Sequence, residues 1–332
     1  MKLHIFGQPL YNAAGDVDAS SAGFKYLIDT LSFIRGKVIE QKFFEVAPAD
    51  FLPVETGEAA WSDEIVQNGE FLTGGNFFEG DIDLGGSRVA SVDATIVPDR
   101  MPVGTWRKKA AWTLAESAKA ANAGNWDPIE GKIKALKKNW DLGIQECAFL
   151  GRPGDAVMTG LLNSSKVNIN TTLIAEPIST MSDSEFQAFV AGLLNAYYTN
   201  GNRTALPDTL VMPTSDYLGM GSAVSATYPN ISKLEYLTNI FKKMTRNDSA
   251  EILPLAYCES SLNASAGVTK NRYVLYRRDP DTLSMSIPVD LTMLDARSVN
   301  GFDWEQLAYG QYSGVMIHRA REVLYLDETA TT

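Results

Sequence analysis

The chain has 332 residues, of which 45% are hydrophobic and 21% charged, as is normal for a globular protein with a sizeable core. Its net charge of −11 argues against tight binding of nucleic acid, which needs clustered lysine and arginine, although a container for nucleic acid gains from a surface that does not adhere. No apolar run approaches the roughly 20 residues that span a bilayer, so we expect no membrane partner.

The first third of the chain is predicted to hold a helix followed by an acidic, extended segment. Apolar residues at helical spacing predict an amphipathic helix over residues 20–40. Beyond residue 41, glycine and proline interrupt every candidate helix, and the short apolar pieces between them favour strands and turns. Residues 40–99 contain thirteen acidic and two basic residues, and no lysine occurs from 43 to 107. We refer to residues 41–110 as the extended loop.

Residues 100–140 reverse the charge, with nine lysines or arginines against three acids. Asp127 is a natural N-cap, Pro128 suits the first helical position and Gly151 suits the end, which predicts a helix over residues 128–150. Such a helix is about 34 Å long. Four lysines crowd its early and middle turns: Lys132, Lys134, Lys137 and Lys138. We refer to residues 132–138 as the basic helix segment.

The rest of the sequence predicts a mixed α+β fold. Ser182–Glu185 and Ser232–Glu235 have the spacing of capping boxes, and each opens a helix with one apolar face. Thr209–Pro213 is predicted as a short buried strand. After residue 250 the chain becomes rich in strand formers, and four further strand regions are predicted: residues 252–257, 273–277, 284–294 and 314–326.

The sequence lacks most of the known catalytic motifs. It has no Walker-type glycine loop and no Gly-x-Gly-x-x-Gly after a strand. Neither of its two histidines, His4 and His318, has an obvious partner for a triad or a zinc site. Asp81 and Asp83 are at strand spacing but lack the oxygen pattern of a calcium loop. We therefore predict no catalytic residue, no metal and no cofactor, while abundant carboxylates keep a carbohydrate hydrolase with an acid pair as an alternative.

The two cysteines and one acidic tripeptide have simpler interpretations. Cys147 and Cys258 lie in apolar stretches, which predicts buried, inert thiols in a reducing compartment rather than a disulfide. Asp279-Pro280-Asp281 has the composition of a turn.

The opposite charges of the loop and the helix give the main functional hypothesis. A long hairpin buries little by itself and normally lies on another surface. The extended loop can lie on the basic helix segment of a neighbouring copy, and such a contact between different patches builds rings or shells. The candidate contact residues are Trp61, Asp63, Glu64, Phe71, Phe77 and Phe78 of the loop, and Lys132, Lys134, Lys137 and Lys138 of the helix.

Several segments, taken in order, resemble the major capsid proteins of tailed phages, which have the HK97-like fold. In that family an aromatic-x-x-x-Glu segment leads into a spine helix, and a Gly-Leu-Leu-Asn turn follows it. The matching segments are Ala111–Glu116, the helix with Gly151, Thr159–Asn163, Ala205–Pro213 and the last strands with Arg319–Tyr325. The similarity covers roughly residues 40–328.

The resemblance implies an α+β, HK97-like capsid fold in four parts. These parts are an N-terminal arm (1–40), the extended loop as a β-hairpin (41–110), a peripheral domain (111–180 and 286–332) with the spine helix 128–150, and an axial domain (181–285).

The resemblance also implies a protein that assembles into pentamers and hexamers of an icosahedral phage head, which encloses double-stranded DNA without sequence-specific binding. The expected partners are further copies of itself, a separate scaffold, a portal and, in some relatives, cement proteins. The expected location is the virion capsid, assembled in the host bacterial cytoplasm. Alternatives are the shell of an encapsulin-like nanocompartment and an adhesive or receptor-binding structural protein.

One departure from the family concerns covalent cross-linking. Some relatives join a lysine of the extended loop to an asparagine of a neighbour. Residues 43–107 contain no lysine, so we predict no such link through this loop.

Overall fold

The computed structural model describes residues 4–5, 8–9, 42–73, 91–122, 128–225 and 228–329. Its strands are β1 His4–Ile5, β2 Gln8–Pro9, β3 Val54–Thr56, β4 Glu64–Thr73, β5 Asp93–Thr113, β6 Asn168–Asn170, β7 Thr209–Met212, β8 Ala223–Ser225, β9 Tyr228–Ser232, β10 Glu251–Pro254, β11 Arg272–Tyr276, β12 Leu283–Ile287, β13 Val289–Met293, β14 Arg297–Ser298, β15 Asp303–Ser313, β16 Val315–Ile317 and β17 Val323–Asp327. Its α-helices are α1 Leu114–Asn122, α2 Pro128–Leu150, α3 Asp183–Asn200, α4 Thr214–Gly219, α5 Lys233–Thr245 and α6 Ser260–Asn263. The predicted helix 20–40 lies outside the described residues, as do Phe77, Phe78, Asp81 and Asp83.

The chain divides into two compact units, one of residues 1–44 with 112–131 and one of residues 45–111 with 132–332. In the first unit, β1 and β2 pair antiparallel, and α1 begins with a reciprocal cap. The Glu116 amide donates to Thr113 Oγ1 at 3.2 Å, and the Thr113 amide donates to the Glu116 carboxylate at 3.1 Å. The aromatic-x-x-x-Glu motif of the sequence therefore places the acid that caps α1.

The core of the second unit is a five-stranded sheet with helices on both faces. Its strand order is β10-β7-β11-β17-β6, with β10 parallel to β7 and β6 parallel to β17. Successive residues of a strand point to opposite faces. Leu210 and Met212 accordingly pack in one core with α3 and α5, while Val211 packs in another with the second half of α2. Burial on both faces explains the continuous apolar run that predicted this strand.

The end of α2 is capped by the Gly-Leu-Leu-Asn turn. The last carbonyls of a helix have no partner within it and need one from outside. The amides of Leu161 and Leu162 donate to the carbonyls of Ala148 and Phe149 at 2.8 and 3.0 Å. Asn163 Nδ2 donates to the Leu150 carbonyl at 2.8 Å, and its Oδ1 accepts from the Gly160 amide at 2.7 Å.

Gly151 ends the helix as predicted, with a positive φ of 75°. The backbone of residues 158–160 lies so close to Gly151 that an added Cβ would collide with it.

Three further sheets are described in the second unit, one of them the antiparallel pair β8 and β9. A three-stranded sheet has the order β16-β12-β3, and another sheet has the order β13-β15-β5-β4 with β14 on β15. The predicted strand over residues 284–294 is two strands, because Pro288 lacks the amide that would continue the ladder. The predicted strand over residues 314–326 is also two strands, separated by a 3₁₀ turn at Ala320–Glu322.

The predicted capping boxes open two helices. Ser182 and Glu185 form the full box at the start of α3, with six apolar side chains buried along that helix. At α5 the Ser232 hydroxyl accepts from the Glu235 amide at 3.1 Å. Leu237 and Phe241 of its apolar face are buried, whereas Met244 near its end is exposed.

Candidate subunit interface

The extended loop is built around an antiparallel hairpin of β4 and β5. The ladder runs from Glu64 opposite Pro102 to Thr73 opposite Asp93. At about 3.3 Å per residue, the 21 residues of β5 reach roughly 70 Å, which exceeds any other strand described. Residues 93–98 of β5 are exposed, and its first buried residue is Met101.

The base of this hairpin is anchored to the second unit. Ile65 and Met101 face the same side of the ladder and pack in a cluster with buried residues: Cys147, Met158 and Met316. On the same side, Lys166 Nζ binds the Asp99 carboxylate at 2.5–2.6 Å. These contacts hold the base of the hairpin in place on the second unit.

Beyond the base, the hairpin exposes apolar side chains on both faces. Alternation along the ladder places Val66, Leu72 and Ile96 on one face and Phe71 and Val97 on the other. All five are exposed, with Phe71 at 59% and Leu72 at 76%. We refer to these five residues as the distal hairpin patch. Apolar surface of this kind marks a site of association.

Trp61 stands where the chain enters the hairpin. Its backbone has a positive φ of 63°, and its amide donates to Gln311 Oε1 at 2.7 Å. The indole lies 5.7 Å from the Tyr309 ring and is 66% exposed. A bulky residue held at positive φ is strained, so the β15 contacts are what hold Trp61 in this exposed position.

The two acids that follow have contacts within the chain. The Asp63 carbonyl accepts from the Val103 amide at 2.9 Å, which extends the ladder. The Glu64 carboxylate forms an ion pair with Arg100 at 2.7 Å, with both side chains substantially exposed.

The basic helix segment is partly neutralised within its own subunit. Lys132 Nζ donates to the Ala111 carbonyl at 2.9 Å, and Lys138 forms an ion pair with Glu45. Lys134 and Lys137 are exposed. Burial raises the pKa of the nearby Asp141 carboxyl, and Lys138 opposes that shift.

The structure thus places three predicted residues, Trp61, Asp63 and Glu64, at the hairpin base and the four lysines on α2. The larger apolar surface, the distal hairpin patch, was represented in the sequence prediction only by Phe71. Its other members stand beside a second apolar residue, as in Ile65-Val66, Phe71-Leu72 and Ile96-Val97, so no apolar–polar alternation marks them in the sequence.

Of the other reactive side chains, the two cysteines are buried and His318 is half-buried. Cys147 and Cys258 are buried free thiols as predicted, and burial raises the pKa of Cys147 to about 12. His318 lies just beyond β16, where Ser284 Oγ is 3.1 Å from its Nε2. Within the described ranges, no group of three or more His, Cys, Asp or Glu side chains is arranged to hold a metal, and no helix is long and apolar enough to cross a membrane.

Comparison with known proteins identifies the family. The model of the major capsid protein family matches residues 82–328, well over half of the chain. This chain belongs to the major capsid protein family. No protein of curated function matches its sequence.

Solved structures show the same fold. The capsid protein of Myoviridae phage XM1 is 16% identical, with a TM-score of 0.76 over 90% of this chain and 97% of that one. The capsid of a native GTA particle is 11% identical, with a TM-score of 0.58 over 91% of this chain and 97% of that one. The protein of Mycobacterium phage Ogopogo is 13% identical, with a TM-score of 0.53 over 91% of this chain and 98% of that one.

These findings confirm the resemblance to tailed-phage major capsid proteins and the α+β, HK97-like capsid fold. The chain is a shell protein of a phage head, and the encapsulin-like alternative is not favoured. The division into an N-terminal arm, an extended loop, a peripheral domain and an axial domain stays a prediction.

Proposed function

We propose that this major capsid protein assembles into pentamers and hexamers of an icosahedral head, and that the extended loop of each copy lies on the basic helix segment of a neighbour. The observation that carries the proposal is the distal hairpin patch, whose apolar side chains are exposed on both faces of a hairpin with an anchored base. Burying these side chains between subunits supplies the main driving force for association.

Charge then sets the orientation of the contact. The loop is acidic and the helix segment basic, and complementary potentials select one pose among many. The internal ion pairs Glu64–Arg100 and Lys138–Glu45 do not oppose this, because an exposed pair contributes only about 0–1 kcal/mol and can be exchanged at small cost. Trp61, Asp63, Phe77 and Phe78 are the other loop residues proposed to take part.

The two patches are different, so the contact is heterologous. A heterologous contact repeated with closing rotation produces rings, which suits five-fold and six-fold capsomers. Each weak contact is then multiplied by the number of copies in the shell.

The proposed cargo and partners follow from the same features. A net charge of −11 suits a head that encloses double-stranded DNA without sequence-specific binding. We further propose a separate scaffold, a portal and possible cement proteins, assembly in the host cytoplasm, a structural rather than catalytic role, and no lysine–asparagine link through residues 43–107.

Charge reversal tests the proposed contact. The variant Lys134→Glu, Lys137→Glu, Lys138→Glu is expected to remain folded, as judged by circular dichroism and thermal unfolding, and to lose most particle formation at low salt. Adding Asp63→Lys and Glu64→Lys is expected to restore part of it. A control reverses Lys242, Lys243 and Lys270, which changes the net charge equally away from α2. Normal assembly of the triple variant at low salt would show that the loop does not use this helix.

A further inference from the structure

A surface cavity lies beside the second half of α2. It has a volume of about 170 Å³ and is lined mainly by aromatic and apolar groups. The Trp106 and Trp140 rings are 5.3 Å apart and the Trp140 and Tyr312 rings 6.2 Å apart, so three rings surround the space. Cavities of about 150 Å³ with apolar linings accept a benzene ring, so a phenyl group fits here.

The mouth of the cavity is open to solvent and carries charge. Gly143, Glu146 and Arg152 line it and are exposed. Gly143 has no side chain, and a Cβ added there would meet nothing within 4 Å. The absence of a side chain at Gly143 leaves a way into the cavity between the helix and the rings.

A second feature, the turn between β14 and β15, presents two apolar side chains. Val299 is 62% exposed and Phe302 is 69% exposed. Asn300 Oδ1 accepts from the amides of Phe302 and Asp303 at 3.0 and 2.7 Å, and Ser298 Oγ accepts from the Gly301 amide at 2.8 Å. The turn is therefore preorganised, and little entropy is lost when its aromatic ring is bound.

We propose that the cavity of one copy receives Phe302 of a second copy, as an additional contact in the shell of the proposed function, on which this inference rests. The two features cannot meet within one chain. Phe302 directly precedes β15 and Tyr312 lies near the end of that strand, so the two residues are about 33 Å apart. Phe302 and the cavity are different surfaces of the same protein, so this contact is also heterologous.

Charge near the two features is complementary. Asp303 follows Phe302 directly, and Arg152 stands at the mouth of the cavity. Glu146 lines the same mouth, so docking must place Asp303 on the Arg152 side. Aromatic anchors in desolvated pockets with charged rims are typical of the residues that dominate interface energy.

A substitution that fills the cavity with a side chain of the same subunit should block docking without destabilising the fold. Gly143→Leu is expected to raise the melting temperature of the subunit, because glycine is unfavourable inside a helix and space is free in front of it. The same leucine occupies the cavity and is expected to lower the yield of particles roughly tenfold or more. Ala188→Leu, at an exposed position of α3 outside the cavity and outside the basic helix segment, is the matched control.

A cross-link identifies the occupant. Gly143→Cys and Phe302→Cys are made as separate chains, assembled together with excess wild type and oxidised, so that only bonds between copies can join them. The native thiols are buried and keep the background low. We expect a covalent dimer of the two variants in particles and none in unassembled subunits. A control pairs Gly143→Cys with Phe71→Cys.

The outcomes separate this inference from the proposed function. Particles that form without the 143–302 bond, or with a 143–71 bond instead, would overturn the inference and leave the proposed function standing. Wild-type protein that forms no particles under any condition would overturn both.

Discussion

The guanidinium of Arg272 and the carboxylate of Asp327 form a bidentate ion pair across β11 and β17, with Nε–Oδ1 at 2.6 Å and Nη2–Oδ2 at 2.7 Å. Arg272 Nη1 also donates to the Leu162 carbonyl at 2.6 Å, and the guanidinium lies 4.6 Å from the centre of the Tyr325 ring. One side chain thus joins the central sheet to the turn that caps α2. It adds to the apolar contacts that hold the end of α2 on the sheet.

Removing Arg272 should destabilise the subunit strongly. Both side chains of the pair are almost fully buried, so Arg272→Ala leaves an uncompensated carboxylate and is expected to cost about 3–5 kcal/mol. The double variant Arg272→Met, Asp327→Leu removes both charges and is expected to recover much of that loss. Urea unfolding of the isolated subunit measures both values. A single variant as stable as wild type would show that this pair does not hold the two elements together.

The cap on α2 gives a second prediction. Asn163→Ala removes one donor to the Leu150 carbonyl and one acceptor for the Gly160 amide, and is expected to cost about 1–3 kcal/mol. Asn139→Ala, on the exposed part of the same helix, is the control and should change stability by no more than about 0.5 kcal/mol. Equal effects of the two changes would argue against the capping role. Thermal unfolding of the subunit provides the comparison.

A third prediction concerns the close packing of α2 on β15. A Cβ added at Gly310 would collide with the Trp140 ring, so Gly310→Ala is expected to destabilise the subunit by about 1–3 kcal/mol through overpacking. At Gly69 an added Cβ meets only ordinary contacts with the Phe71 ring and the Val97 carbonyl. Gly69→Ala is therefore the control, with little or no loss expected in urea unfolding. Tolerance of alanine at Gly310 would mean that the helix can shift on the sheet.

His318 should make stability depend on pH. Its Nδ1 is buried with no hydrogen-bond partner among the described residues, and burial lowers its pKa from 6.5. The charges of Asp99, Glu55 and Asp281 act to raise that pKa, while Lys166 acts to lower it. Because the folded state favours neutral imidazole, the unfolded chain binds more protons below about pH 6.5. Stability is therefore full above that pH and falls as the pH decreases toward the folded pKa.

The variant His318→Gln isolates this contribution. Unfolding by urea at pH 7.5 and pH 5.5 should show a smaller loss of stability in the variant than in wild type, since both proteins share all the carboxylates. An identical loss in the two proteins would assign the pH dependence to other groups.

Local sequence patterns predicted the elements that carry their own boundary signals. The helix over residues 128–150 has a proline at its start, a glycine after its end and an apolar stripe, and α2 has these bounds. Ser182 opens α3 through the predicted cap, and β7 is buried on both faces as its apolar run indicated. In each case the residues that define the element are also the residues that make its contacts.

Elements that depend on distant partners were not predicted. β15 contains Gly310 and several polar residues, and it is a strand because β5 and β13 pair with it and Trp140 packs on it. α1 is a different case, because the sequence does not predict it as a separate helix although its cap at Thr113 and Glu116 is local. The pairing of Trp61 with Gln311 joins residues 250 positions apart, and no local pattern contains it.

Imaging of the assembled state tests the central claim most directly. Electron microscopy and sedimentation of the purified chain at increasing concentration should show closed shells or five- and six-membered rings. A chain that sediments as a monomer under every condition, and that turns over a glycosidic substrate, would contradict the account of this protein as a self-assembling shell subunit.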